Sequence, residues 1–547
     1  MARLDRVPGV KRVAQFTACI GREFHYRTLS AIAGLSSDEL QLALDRLASA
    51  ELIFCQGTPP EAAYTFKHAL VRDAAGNSLL LSERRRVRAE IAHALSEGSP
   101  PGPPELIAQH AEAAGQVEIA IQQWLRAGRG AADRYANVEA INYFERALKL
   151  VLSKTEDEAR DRQELEVLIA LGVPQIAAYG YPSETVERTY SRARALCERL
   201  SDQEHLFFAL RGLWNCLFDR ADLKQSLNIA NSLLQRAHEG RDGEQLGLAY
   251  RAVGASRFNR GEFSEALTAF HKAIETCANL GHDNAMKVYG EAPAIVSLAY
   301  SGWLLCILGR LDEGLERGEQ ALSLAHQCGY PLVTAFVSDL HCAVLLEHRR
   351  PAACFALAEE ALAFSREHLL VFWAASLSIK AGWGRALVAD AVAGTEQVRA
   401  GIASWRATGA ALHLPTWNVF LVDALLLAGL NDEAASALED ALAIAHRNGE
   451  LFMLAELHRL RGRLRVRLAR PKEAEADFLH ACEVARQQGA LLFELRAASD
   501  LAGLWAEQGG AQKAAGFLAP IVESFPQVTD TPDLESARNL LRRLSVD

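Results

Sequence analysis

Arginine and tryptophan dominate the energy of buried contacts in recognition surfaces. A set of both types, with aspartates between them, sits at related positions along this chain: Arg251, Trp303, Asp339, Trp383, Asp423, Arg459, Arg463 and Arg496. Together they would line a groove for a protein segment or a small effector. The three late arginines, Arg459, Arg463 and Arg496, suit an acidic peptide or a carboxylate through paired N–H donors. The competing reading is structural, with tryptophans packed between helices and arginines solvated.

Signatures of reaction chemistry are missing from the same sequence. There is no GxSxG and no HExxH, and no lysine follows a glycine, so the phosphate loop GxxxxGK[ST] is absent. Ten cysteines are scattered without a CxxC pair and mostly fall in apolar stretches. They read as small buried hydrophobes of a reducing compartment. The histidines are dispersed and form no metal-ligand spacing, and the run Thr155 to Glu166 alternates in charge like a solvated helix face. No catalytic residue, cofactor or metal is therefore expected.

The elements that must position the groove are legible as a repeat. The stretch "AYRAVGASRFNRGEFSEALTAFHKAIETC" has the spacing of a two-helix tetratricopeptide unit. Gly254 and Ala266 stand where the paired helices nearly touch, and Phe270, Ala273 and Ile274 form the inner face of the second helix. The Ala266 position recurs at Gly314, Cys354, Gly394, Ala434, Ala474 and Ala514, first after 48 residues and then every 40. Upstream, Ser226, Val186 and Ala140 continue the register more loosely. Glycines at 281, 329, 409, 449 and 489 follow the second helices, where a left-handed cap is wanted. About ten units over 105–530 are expected to stack into a right-handed superhelix whose first helices line the concave face. The stretch 531–547 reads as a closing helix, capped by Thr531 with Pro532 in its first turn.

Residues 1–95 lack the repeat, and the cluster "SEGSPPGPP" over 96–104 marks a linker. Helices are expected near 9–20, 26–33 and 36–50, then two strands in "LIFCQG" and "AYTFKH", then a helix over 69–95. That order predicts a winged-helix-like domain. Its recognition helix would carry Asp38, Glu39, Asp45 and Glu51 against Arg46 alone. Phosphates would repel it, so nucleic acid is not expected as a partner. The fold class is thus mainly α, a winged-helix-like domain followed by a tetratricopeptide-type solenoid.

Several phrases extend the reading to a family. "ARLDRVPGVKRVAQFTACIGREF", "AYTFKHALVRDAA", "WLRAGRGAADRYANVEAINYFERAL", "GYPSETVERTYSRARALCERL" and "LFFALRGLWNCLFDRADLKQSL" resemble the winged-helix and repeat portion of bacterial signalling proteins. These join an adenylate/guanylate cyclase to an AAA/STAND-type ATPase and a tetratricopeptide tail. In that family "ARLDR" follows the ATPase core, so the resemblance implies a chain without its cyclase and ATPase parts. It also implies that His68, in "TFKHAL", could reach a nucleotide held by a partner ATPase, against a structural role at a strand-to-helix junction. Gly76 departs from the aromatic that the family usually places there. The functional expectation is a non-catalytic regulatory module with a protein partner, an ATPase or a nucleotide cyclase. The second reading is a fragment of a split ATP-binding cyclase-type regulator, and the third a DNA-binding regulator. The net charge of −10 and the lack of an apolar run of membrane-spanning length fit a cytoplasmic protein without membrane contact.

Overall fold

The computed structural model describes residues 9–281, 283–525 and 531–545. The phrase "ARLDR", the repeat positions 526–530 and the last two residues of the closing helix lie outside the described residues. Chain contacts divide the protein into two compact units, Met1–Ala170 and Leu171–Asp547.

The first unit begins with α1 (Lys11–Ile20), β1 (Glu23–His25), α2 (Tyr26–Ala33), α3 (Ser37–Ser49), β2 (Ile53–Gln56), β3 (Ala63–Phe66), α4 (Ala69–Asn77) and α5 (Leu81–Ser96). A capping box starts α3: Ser36 accepts from the Glu39 backbone while the Glu39 side chain accepts from the Ser36 backbone. The sheet has three strands rather than two, in the order β1-β3-β2 and antiparallel throughout. Glu23 pairs with Thr65, and Ile53 with Phe66. Strand β1 is only three residues long, too short for alternation to reveal it. It places Phe24 against Tyr64 with ring centroids 5.4 Å apart, over a core that includes Leu29, Leu40, Leu44, Val87 and Ile91. The helix expected over 69–95 is two helices. Chain direction changes at Ser78–Leu80, just after Gly76 and Asn77, two poor helix formers. Four more helices complete the unit: α6 (Pro104–Ala114), α7 (Val117–Ala132), α8 (Asn137–Leu152) and most of α9 (Glu158–Tyr179).

In the second unit a lone α10 (Glu184–Leu200) precedes a run of antiparallel pairs. These are α11 (Gln203–Asp219) with α12 (Leu223–Gly240), and α13 (Gly243–Asn259) with α14 (Phe263–Cys277). A short α15 (Asp283–Tyr289) follows, then α16 (Pro293–Ile307) with α17 (Leu311–Cys328), and α18 (Pro331–Glu347) with α19 (Pro351–Glu367). Next come α20 (Val371–Val388) with α21 (Ala391–Ala407), and α22 (Leu414–Leu427) with α23 (Asn431–Asn448). The last are α24 (Leu454–Arg467) with α25 (Pro471–Gln488), α26 (Leu491–Glu507) with α27 (Ala511–Glu523), and a single α28 (Pro532–Leu544). Helix α15 accounts for the one step of 48 residues. It also explains why Gly281 caps nothing: α14 stops at Cys277 on a right-handed Ala278. Gly329, Gly449 and Gly489 do close their helices in the left-handed conformation.

The repeated small position is buried in every second helix, from Ser226 and Ala266 through Cys354, Ala434 and Ala474 to Ala514. Two kinds of contact follow from what faces the small residue. In α13 and α24, Gly254 and Gly462 lie under the rings of Phe270 and Phe478. In α16 and α20, Gly302 and Gly382 meet the backbones of Gly314 and Gly394 directly.

First helices of the pairs are buried on nearly all sides. Every residue from Ala335 to Glu347 in α18 is buried. A helix needs cover on both faces for that, and the second cover is the superhelix itself. The Asp219 carbonyl, at the end of α11, accepts from Ala411 and Leu412 N–H at 2.9 and 3.0 Å. The Asn259 carbonyl, at the end of α13, accepts from Leu451 N–H at 2.8 Å. Residues 219 and 411 share one offset with 259 and 451, so the chain meets itself again after roughly five helix pairs. Helix ends leave carbonyls without intrahelical partners, and these contacts satisfy them. Phe452 then packs on Phe258 and Trp303 at 4.9 and 5.4 Å between centroids. At the far end Thr531 caps α28 through the Leu534 N–H, as expected of the closing helix.

Candidate functional site

Closure of the superhelix leaves a cavity on its axis in the second unit. Its open space, solvent at the mouth included, is about 550 Å³. Helix α11 contributes Trp214, Asn215, Phe218 and Asp219, and α13 contributes Arg251. Tyr300 and Trp303 come from α16, and Phe336 and Asp339 from α18. Opposite stand Phe372, Trp373, Ser376 and Lys380 of α20 and Trp405 of α21, with His413 and Trp417 at the start of α22.

The aromatic wall holds a few buried charges. Arg211 donates to Asn215 at 2.6 Å and to Glu291 at 2.5 Å. Burial pulls the Arg211 guanidinium below its ordinary value, and Glu291 opposes that. Arg251 lies with its Nε 2.9 Å from the same Glu291, but the N–H is not directed at the carboxylate. One carboxylate is therefore shared by two guanidinium groups. Arg251 is also stacked near three rings, Trp214, Tyr300 and Phe336, at 5.2 to 5.8 Å. Across the cavity Lys380 is neutralised: its Nζ is 2.6 Å from the Asp339 carboxylate and donates to the Asp339 carbonyl at 2.9 Å. Ser376 donates to the other Asp339 oxygen.

Asp219 differs from these groups. Its side chain is 8% exposed, lines the cavity and makes no hydrogen bond or ion pair to any described residue. Burial pushes its carboxyl up to about 7, against the pull of Arg251 and Arg211. The indole N–H groups of Trp373 and Trp417 are buried without acceptors, as is His413 Nδ1. Buried polar groups are paired in the great majority of cases, so this concentration of open ones in one cavity singles it out. Burial, reinforced by Lys380, holds His413 down at about 3, so its imidazole is neutral.

One wall segment makes a direct prediction. The His413 backbone N–H donates to Glu450 at 3.0 Å, while the other Glu450 oxygen has no partner. Burial pushes Glu450 up to about 8. Its folded value lies above its unfolded one, so the folded protein holds this proton more tightly. The Glu450 contribution to stability is therefore most favourable at low pH and declines as pH rises from about 4 to about 8. Glu450→Gln removes that decline. Urea unfolding should show the variant gaining on the order of 2–4 kcal/mol over the parent between about pH 5 and about pH 8.5. A pH-independent difference would place Glu450 in contact with water.

The groove residues expected from the sequence divide into three groups. Arg251, Trp303 and Asp339 line the cavity together. Trp383, Asp423 and Arg463 form a ladder along α20, α22 and α24: the indole donates to Asp423 at 3.2 Å, and Arg463 is 3.6 Å from the same carboxylate. Arg459 and Arg496 lie in a buried charge network. Arg459 binds Glu456 and Asp500 at 2.7 and 2.9 Å, and Arg496 binds Glu347 and Asp533 at 2.6 and 2.7 Å. The late arginines thus already hold carboxylates of their own chain. His68 is exposed at the N-cap of α4 and makes no side-chain cap bond. Sequence reading passed over Asp219, Lys380, Trp214 and Trp373. A signal for Lys380 was present, one cation inside the apolar run "VFWAASLSIKAGWG".

No family model matches the chain. An uncharacterized protein of Rhizobium meliloti (strain 1021) is 27% identical over 514 residues, covering 91% of this chain and 49% of that protein. The chain therefore spans about half the length of the curated relative it matches. Similar solved structures include a Rap protein complexed with competence and sporulation factor, with a TM-score of 0.49 and 12% identity over 70% of this chain and 99% of that one. Another is a signal transduction ATPase with numerous domains and a tetratricopeptide repeat sensor, from Pyrococcus horikoshii. It has a TM-score of 0.42 and 13% identity over 82% of this chain and 64% of that one. Among the described residues no helix is long and apolar enough to cross a membrane. The stacked antiparallel pairs, with small residues at their close contacts, make the chain a tetratricopeptide-like helical-repeat protein.

Proposed function

We propose that the chain is a non-catalytic regulatory module in which the second unit captures an effector in its axial cavity. The observation that carries the reading is an aromatic-lined cavity with the unpaired Asp219 on its wall, beside the buried Trp373 and Trp417 indoles that lack acceptors. An effector there would touch helices from α11 to α22 and so bias the closed superhelix against an opened one. The first unit, read as winged-helix-like from its helix–strand–helix–helix–strand–strand order, would pass that bias to a partner protein. An ATPase or nucleotide cyclase is the partner that the family resemblance suggests, and His68 is exposed to meet it. The charge on α3 supports a protein partner over DNA. A cytoplasmic setting fits ten free cysteines. A second reading, one part of a longer ATP-binding regulator, is supported by the chain's matching only half of its relative.

The test is thermal unfolding with fractionated small-molecule extract of the native cell. A saturating effector should raise Tm by several degrees, since occupancy at about a hundred times Kd adds about 2.7 kcal/mol. The response should vanish in Trp373→Ala. If no fraction moves Tm, the cavity is not an effector site.

A further inference from the structure

Within that effector reading, we propose that the axial cavity takes an α-amino acid with an apolar side chain, bound as the zwitterion. Arg251 receives the carboxylate, Asp219 receives the ammonium, and the side chain enters the aromatic cage. Arg211 is satisfied by Glu291 and Asn215, and Lys380 by Asp339. Two groups remain open, and they have opposite signs. The terminal nitrogens of Arg251 donate to no described residue, and its Nε lies 2.9 Å from Glu291. The Asp219 carboxylate has no partner, although it is more than nine-tenths buried. Arg251 and Asp219 line the same cavity yet form no ion pair with each other.

A gap between opposite charges is filled by a molecule carrying both signs. A simple anion would satisfy Arg251 and leave Asp219 opposed. A simple cation would do the reverse. A zwitterion closes both, and charge-assisted bonds in a dry site are the strong ones. The rings of Trp214, Tyr300, Phe336 and Trp373 supply an apolar surround for a hydrocarbon side chain.

The protonation of Asp219 adds a consequence. Its carboxyl faces Arg211 on its own helix, Arg251 on α13, Tyr300 on α16 and Tyr181 ahead of α10. It must be ionised to hold an ammonium, and burial holds it near neutrality. Affinity should therefore fall by about tenfold per pH unit below about 7.

The test is calorimetric titration of the full chain at about pH 8 with L-leucine and L-phenylalanine, beside 3-phenylpropionate and 2-phenylethylamine. The amino acids should bind, and each one-charge analogue should bind at least about tenfold more weakly. Asp219→Asn should weaken L-phenylalanine by a similar factor while leaving 3-phenylpropionate unchanged, a pattern that misfolding would not produce. Arg251→Gln should weaken 3-phenylpropionate and spare 2-phenylethylamine. An analogue binding as tightly as the amino acid overturns the proposal. So does a cell-extract fraction that shifts Tm while neither amino acid binds, and in that case the effector reading stands. Silence from every fraction and every amino acid overturns both.

Discussion

Arg496→Met is expected to destabilise the second unit by about 3–5 kcal/mol and to release its C-terminal helix. Arg496 is buried and bridges two residues through three acceptors. It donates to the Glu347 carboxylate at 2.6 Å, to the Glu347 carbonyl at 3.0 Å and to Asp533 at 2.7 Å. Glu347 ends α18 and Asp533 opens α28, so one side chain ties the last helix to a helix nearly one superhelical turn earlier. Removing the cation leaves Glu347 buried with only the Trp303 indole at 3.3 Å. Asp533 would keep Arg349 alone, at 2.9 Å. Burial pushes Asp533 up, but Arg496 and Arg349 outweigh it and hold its carboxyl at about 2. That value lies below the unfolded one, so this stability is present above about pH 4 and is lost as pH falls toward about 2. Amide exchange should show protection of 532–544 collapsing in the variant while α11 to α14 change little. A double-mutant cycle with Asp533→Asn should give a coupling above about 0.5 kcal/mol. Unchanged exchange in α28 would mean that apolar packing, through Leu534 and Ala537, fixes it unaided.

The difference between what could and could not be read from the sequence follows from the range of the contacts. Pairing within a unit is local, and the alternation of small residues with period 40 reports it directly. Gly254, Ala266 and Phe270 belong to one contact, separated by only a few turns of helix. Closure of the superhelix joins Asp219 to Ala411 and Asn259 to Leu451 through backbone atoms. Backbone bonds impose no residue type, so no letter in the sequence announces them. Nearest-neighbour stacking sets how soon the turn closes, and that depends on small rotations added over roughly five repeats. The first helices consequently line an axial cavity from both sides of the turn. Arg251, Trp303 and Asp339 reach it because their helices lie where the opposite wall is aromatic. Arg459 and Arg496, equivalent in type, meet carboxylates instead: Glu456 on the same helix and Asp500 on α26 for the first, Glu347 on α18 and Asp533 on α28 for the second.

Gly394→Ala should be the costliest of the single-methyl additions, by more than about 3 kcal/mol, and a graded glycine series makes that claim strict. A β-carbon on Gly394 would come 2.5 Å from the Ala386 nitrogen and 2.6 Å from the Gly382 carbonyl oxygen. Both are backbone atoms of the facing helix, so relief requires moving α20 from α21 as a body. Gly254, which holds in α13 the place that Gly382 holds in α20, differs. There the new carbon meets the Phe270 ring at 2.6 Å, and a ring can swing aside. Gly254→Ala should cost about 1–3 kcal/mol. Gly503, in α26, has nothing within reach of a β-carbon. Gly503→Ala should stabilise by up to about 1 kcal/mol through helix propensity alone. Chemical unfolding of the three variants should therefore rank them 503, 254, 394, from gain to severe loss. Propensity acts in the same favourable direction at all three sites, so the spread measures how closely the paired backbones approach. A Gly394→Ala protein as stable as Gly254→Ala would mean that α20 and α21 separate easily, and the backbone-to-backbone contact would not be what sets the spacing of this repeat.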